Sequence, residues 1–345
     1  MKHRIATFTT TTIGLIAVLV LTLAVFGLPV GPSLHLIVQG AFGDKYGVAR
    51  TIVRIAPLLL TGLGVTVAWR AGMYNIGGEG QFVIGGLCGA WTAKVLLSVH
   101  APAWAVSILV IAACAAGGAG FGALAGWLKA KREVNIVIST ILLNFIALQV
   151  LSWAVAGPLR QRGSTLPWTD ELPQAVMFYR PDRTSDLHAG VLLALAAAFA
   201  LYFVLFRSRW GFLVRLVGVN PRAAQVSHID PDRVQVAAMA LSGALCGLAG
   251  AVQYLGISGQ LSAEFSQNWG FLGIPVALLG GLHPAGLLLS ASYFGTLLAG
   301  TANLARFSEG GDTLVYVIQA AAVLGLAGTR SYLSSRRPSG AVEAA

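Results

Sequence analysis

The chain has 345 residues, of which 56% are hydrophobic and only 10% charged, and it carries a net charge of +10 at pH 7. Soluble domains hold about 25% charged residues, so this composition excludes a charge-covered globule and describes an all-α polytopic membrane protein. The positive balance is read as topogenic charge on short loops, and no nucleic-acid partner is expected.

Taken in order, Met1 to Arg4 precede an apolar run at 13–30 that is long for a signal peptide and lacks a clean small-x-small cleavage site, so it reads as a retained first span. Further runs fall at 51–69, 73–97, 103–128, 136–157, 189–206, 234–256, 271–282, 284–302 and 313–329, which makes ten spans. The eighth is shorter than the roughly 20 residues a full crossing needs, and is expected to be tilted, re-entrant or broken. With the N-terminus inside, the inner segments hold fourteen cations against four acids and the outer segments nine against eight. That bias places both termini in the cytoplasm.

The stretch from Arg70 to Gln81 stands out between the second and third spans. Gly72, Gly77, Gly78 and Gly80 free the backbone to leave helical geometry. A break in a membrane helix is tolerated only where protein or a cavity surrounds it, and an acid such as Glu79 at membrane depth points to a functional site. A discontinuous third helix is therefore expected here.

Two loops are long. Residues 157–188 carry four prolines, mixed charge and Trp168, which suits an extracytoplasmic docking surface or a plain connection. Residues 207–233 are basic, and Asn220-Pro221 opens a short helix, because Asn is a good N-cap and Pro fits the first helical position. Ala223, Ala224 and Val226 give that helix a small apolar face, able either to cap the bundle or to fit a groove in a cytoplasmic partner. Gly118, Gly122 and Gly126 recur every four residues, as do Gly243 and Gly247, a period that brings helix backbones together in lipid.

Much chemistry is excluded. Cys88, Cys114 and Cys246 lie in apolar runs without CxxC spacing and read as packing residues, and the six histidines have no metal-ligand spacing. None of the five lysines follows a glycine, so there is no GxxxxGK[ST] phosphate loop. Ser258 in Gly256-Ile257-Ser258-Gly259 and His283 imitate an intramembrane protease pair, but the span map sets them on opposite sides of the membrane, out of hydrogen-bond reach. Neither cofactor, metal nor catalytic residue is expected.

Five segments in fixed order carry a resemblance: Ala71 to Gln81 (AGMYNIGGEGQ), Glu133 to Asn144 (EVNIVISTILLN), Val217 to Ala224 (VGVNPRAA), Leu241 to Gly250 (LSGALCGLAG) and Gly270 to Gly280 (GFLGIPVALLG). With them the chain resembles, over about residues 50–328, the permease subunits of bacterial ABC importers in the ribose and branched-chain-amino-acid permease superfamily, nearest to the nucleoside permeases that work with a basic-membrane-lipoprotein binding subunit. Tyr74, where the family often has phenylalanine, residues 133–135 and Pro275 depart from its pattern. The resemblance implies one permease domain spanning 1–345, with a cytoplasmic coupling loop at 207–233 and a basic cytoplasmic tail at 329–345. It also implies a second, different permease subunit, a cytoplasmic ABC ATPase that hydrolyses the ATP, an extracytoplasmic binding protein or lipoprotein, and residence in a bacterial plasma membrane. Gly218, Asn220, Pro221, Arg222, Ala223 and Ala224 match the segment that couples to the ATPase.

The expected substrate pathway comprises Tyr74, Asn75, Glu79, Gln81, Phe82, Thr140 and Asn144. Amides at Asn75, Gln81 and Asn144 suit ribose hydroxyls, and the rings of Tyr74 and Phe82 suit a base. For Glu79 and Asn144 a purely structural hydrogen-bonding role stays open beside this one. A simple sugar such as ribose is an alternative solute. A proton-coupled secondary transporter using Glu79 is the alternative mechanism, and a non-transporting scaffold subunit is the third.

Overall fold

A computed structural model describes residues 14, 16–182, 184–307, 317–318, 320–321 and 324–325. Apart from those last few positions, the tenth expected span lies outside the described residues, as does the basic tail. Twelve helices follow in order: α1 (Ile16–Val25), then α2 (Val30–Phe42), α3 (Lys45–Arg70), α4 (Gly78–Ser98), α5 (Ala103–Arg132), α6 (Ile136–Ala156), α7 (Gly190–Arg207), α8 (Arg209–Val219), α9 (Pro221–Val226), α10 (Pro231–Gln253) with a π-helical turn at Tyr254–Ser258, α11 (Trp269–Leu279) and α12 (Pro284–Ala305). An isolated antiparallel bridge joins Arg160 and Thr169.

Among the described residues seven helices are long and apolar enough to cross a membrane: α3 to α7, α10 with its π-turn, and α12. The helices meet the sequence map at three points. The first apolar run ends in a turn at Gly27 with φ of +69°, and a further helix, α2, starts at Val30. The eighth is an 11-residue helix, too short to span alone. The glycine stretch is a break at the start of the third run: residues 71–77 are non-helical and α4 then runs unbroken from Gly78.

The chain divides into two compact units, residues 1–51 with 296–345 and residues 52–295. In the first, α2 lies against the end of α12. The Asn303 amide donates to the Leu36 carbonyl at 2.9 Å, and Thr51 donates to the Ala41 carbonyl at 3.0 Å.

The second unit is built on α5 and α10. A methyl group placed on Gly118 would meet the Gly243 carbonyl, and one on Gly122 the Met239 carbonyl, so the glycine rows do bring two backbones together as their period requires. Polar residues begin α6, α9 and α10. Asn135 accepts from the Val137 and Ile138 N–H groups, Asp230 from Asp232 and Arg233, and Asn220 from Ala223, each at the N-cap. The last of these is the short helix expected from Asn220-Pro221, now placed directly after α8.

Candidate solute pathway and coupling site

The break between α3 and α4 is enclosed. Asn75 is 0% exposed, Glu79 and Gln81 are each 1% exposed, and Gly72 takes the left-handed conformation at φ +75° that turns the chain out of α3. A helix that starts inside apolar protein leaves its first N–H groups without intrahelical acceptors, and here side chains supply them. The Asn75 side chain accepts from Gly77 N–H at 2.7 Å, while Asn144 of α6 accepts from Gly80 N–H at 2.8 Å and donates to the Ile76 carbonyl at 2.9 Å. Thr140, one turn earlier on α6, accepts from Ile76 N–H at 3.3 Å. The Asn75 amide also donates to Gln81 Oε1 at 3.1 Å and to the Ser242 hydroxyl of α10 at 3.0 Å.

Glu79, in the first turn of α4, reaches a different helix. Its Oε2 accepts from Gly270 N–H at 2.7 Å and from Phe271 N–H at 3.3 Å, with the Ser266 side chain and the Asn268 backbone on the same carboxyl. Gly270 and Phe271 open α11, so one carboxylate caps α11 from within the first turn of α4. Negative charge is favourable at helix N-termini because their N–H dipoles converge there. The contact needs Gly270, since a side-chain carbon at that position would strike the backbone of Gly78 and Glu79. The partners of the acid thus come from residues 266–271, while the Arg70 Nε donates to the Leu282 carbonyl at 2.6 Å.

The structure thus brings six of the seven expected pathway residues together. Asn75, Glu79, Gln81, Thr140 and Asn144 are tied by these bonds, and Phe82, 0% exposed, follows them on α4 with its ring 5.2 Å from that of Phe265. Tyr74 stands apart: it is 56% exposed, and its ring meets Trp69 edge-on at 5.3 Å. Of the coupling residues, Asn220, Pro221, Arg222 and Ala223 are exposed and Ala224 is buried. Ala224 alone of the expected apolar face packs inward, while Val226 is 83% exposed.

Sequence reasoning missed the partners of the break. Ser242, Gly270 and Phe271 are three, although Ser242 and Gly270 lie inside the family-like segments. Gln235 is another: its amide donates to the Ala71 carbonyl at 3.2 Å while its Oε1 accepts from Lys129. A polar residue early in an otherwise apolar span was the available signal. The last is the approach of α8 to the break, where a side chain on Gly218 would run into the Arg70 carbonyl and Gly72. The protease pair dissolves. Ser258 donates to the Gln253 carbonyl, and His283 accepts from Ala285 N–H and packs on Phe206.

Seven described helices long and apolar enough to cross a membrane, one of them starting at a buried break held by side chains, define a multi-pass helical membrane protein. The chain belongs to the family described as branched-chain amino acid transport system / permease component, which it matches over residues 47–329. It is similar to the guanosine ABC transporter permease protein NupP of Bacillus subtilis, with 34% identity over 82% of either chain. A glucose ABC transporter permease protein of Haloferax volcanii is 33% identical over 81% of this chain and 76% of its own. The nucleoside ABC transporter permease protein NupB of Lactococcus lactis is 30% identical over 75% and 73%.

Proposed function

We propose that the chain pairs with a second, different permease subunit to form the translocation pathway of an ATP-binding-cassette importer for a nucleoside or related sugar-containing solute in a bacterial plasma membrane. The observation that carries this reading is the similarity to a guanosine permease over 82% of both chains at 34% identity. ATP hydrolysis falls to a separate cytoplasmic ATPase, and an extracytoplasmic binding protein delivers the solute. In the topology we favour, α1, α11 and the run at 313–329 complete ten passes with both ends inside. The exposed α9 then lies on the cytoplasmic face.

In this reading α9 receives the movement of the ATPase. It is continuous with α8, which packs through Gly218 on the carbonyl of Arg70 at the start of the break. The break is tied in turn to α6, α10 and α11 through Asn144, Ser242 and Glu79. Tyr74 is the exposed residue that meets solute at the break, while Asn75, Glu79, Gln81, Phe82, Thr140 and Asn144 hold the break in register behind it and line the pathway when it opens.

A simple sugar is the second reading, supported by the glucose permease relative at 33% identity. Competition separates the two. In cells that import labelled guanosine through this system, an excess of unlabelled nucleosides should abolish uptake while glucose and ribose leave it unchanged. Inhibition by the sugars alone would assign the protein to sugar import.

A further inference from the structure

At the end of α4 remote from the break lies a cavity of about 390 Å³, bounded by the last turns of α4, by residues 159–172 and by the π-helical turn. Its walls are alanine and leucine side chains, and its polar groups include Lys94, Arg160, Arg162, Asp170, Glu171 and Tyr254. Ligand pockets commonly have this make-up: about 300–1,000 Å³, apolar walls and a few convergent polar groups.

The polar groups are set for use. Tyr254 is 2% exposed, yet it reaches the cavity and, among the described residues, its hydroxyl has no hydrogen-bond partner. The π-helical turn that presents Tyr254 is of a kind that frequently occurs at functional sites. Lys94 and Arg160 are held in place by bonds to the Pro158 and Ser164 carbonyls, at 2.7 and 2.6 Å. The Asp170 and Glu171 carboxylates are in no hydrogen bond or ion pair among the described residues.

Cations beside free carboxylates repel an ion of either sign in part, but both serve a neutral solute rich in hydroxyls. Vicinal hydroxyls donate in parallel to a carboxylate and accept from an ammonium or guanidinium, and charge-assisted bonds of this kind are the stronger ones. The face of Tyr254 suits the apolar side of a ring. We infer that this cavity is an antechamber that binds the ribosyl or hexosyl part of the solute on the extracytoplasmic side before it reaches the break. The inference rests on the transport reading above.

The test uses the complete complex in nanodiscs, without its binding protein, and labelled guanosine and glucose as probes. Wild-type complex should bind one of them weakly and saturably. Asp170→Asn combined with Glu171→Gln should weaken that binding about tenfold or more, and Tyr254→Phe, which keeps the ring in place, about three- to tenfold. Co-purification of the partner subunits reports assembly. If wild type imports the probe but both variants bind it unchanged, the antechamber is refuted while the transport reading stands. If the variants lose only docking of the binding protein, the cavity is a protein socket and the inference again fails. If wild type neither imports nor binds nucleoside or sugar, the transport reading itself falls and takes the antechamber with it.

Discussion

Removing the Glu79 side chain tests how the break is held. In Glu79→Ala the N–H groups of Gly270 and Phe271, which now donate at 2.7 and 3.3 Å, lose their acceptor. The site is closed to water, Glu79 being 1% exposed. Each orphaned buried donor costs about 1–3 kcal/mol, and lipid-embedded bonds fall at the lower end of such ranges. The two together amount to about 2–4 kcal/mol. Glu79→Gln retains a carbonyl oxygen for the same donors and should lose only about 1 kcal/mol. Thermal unfolding of the detergent-solubilised complex, followed by fluorescence-detected size exclusion, reads both variants. The expected order is wild type, then Gln slightly lower, then Ala clearly lower, with uptake following stability. Glu79→Ala unfolding with wild-type stability while uptake vanishes would refute a capping role and return the acid to solute or proton chemistry.

Other consequences follow from single contacts. Gly270→Ala should prevent assembly of the folded subunit, because its Cβ would overlap the backbone at Glu79; normal yield on membrane extraction would contradict the packing. Gly218→Val should leave ATP hydrolysis in place but disconnect it from uptake, since the side chain wedges α8 away from the Arg70 carbonyl; a parallel loss of both rates would argue against it. Asn220→Ala removes the acceptor for Ala223 N–H on an exposed helix, with a stability loss of about 1 kcal/mol, and should lower uptake more than it lowers the melting temperature. Burial, aided by the nearby Arg180, holds the His188 imidazole at about 4, below its usual 6.5. The unfolded chain therefore binds the proton first, and stability falls as pH drops from about 6.5 towards 4, by on the order of 2–3 kcal/mol in all. His188→Gln should flatten that part of a melting-temperature profile, and an unchanged slope would place the titration elsewhere.

The sequence revealed most where one property acts locally. Apolar length marks a span whatever it packs against, so α3 to α7, α10 and α12 are all visible, and the Asn220-Pro221 start of α9 is written in two adjacent residues. Likewise the glycines at 72–80 disclose a break. What holds the break closed is a matter of distance along the chain. Glu79 finds its donor 191 residues away and Gly80 its acceptor 64 residues away, and no local pattern names either partner. Two of the amides expected to face a solute are bonded to each other in this structure: Asn75 and Gln81, six residues apart, satisfy one another, which composition cannot foretell. The helix α2 escaped notice because its 13 residues include Gly31 and Pro32 and are too few for a crossing.

The most direct measurement is guanosine accumulation in proteoliposomes containing this chain, its partner permease, the ATPase and the binding protein. Accumulation should require ATP on the ATPase side and persist when an uncoupler collapses the proton gradient. Accumulation without ATP that disappears on adding the uncoupler would contradict the importer reading and make Glu79 a proton site.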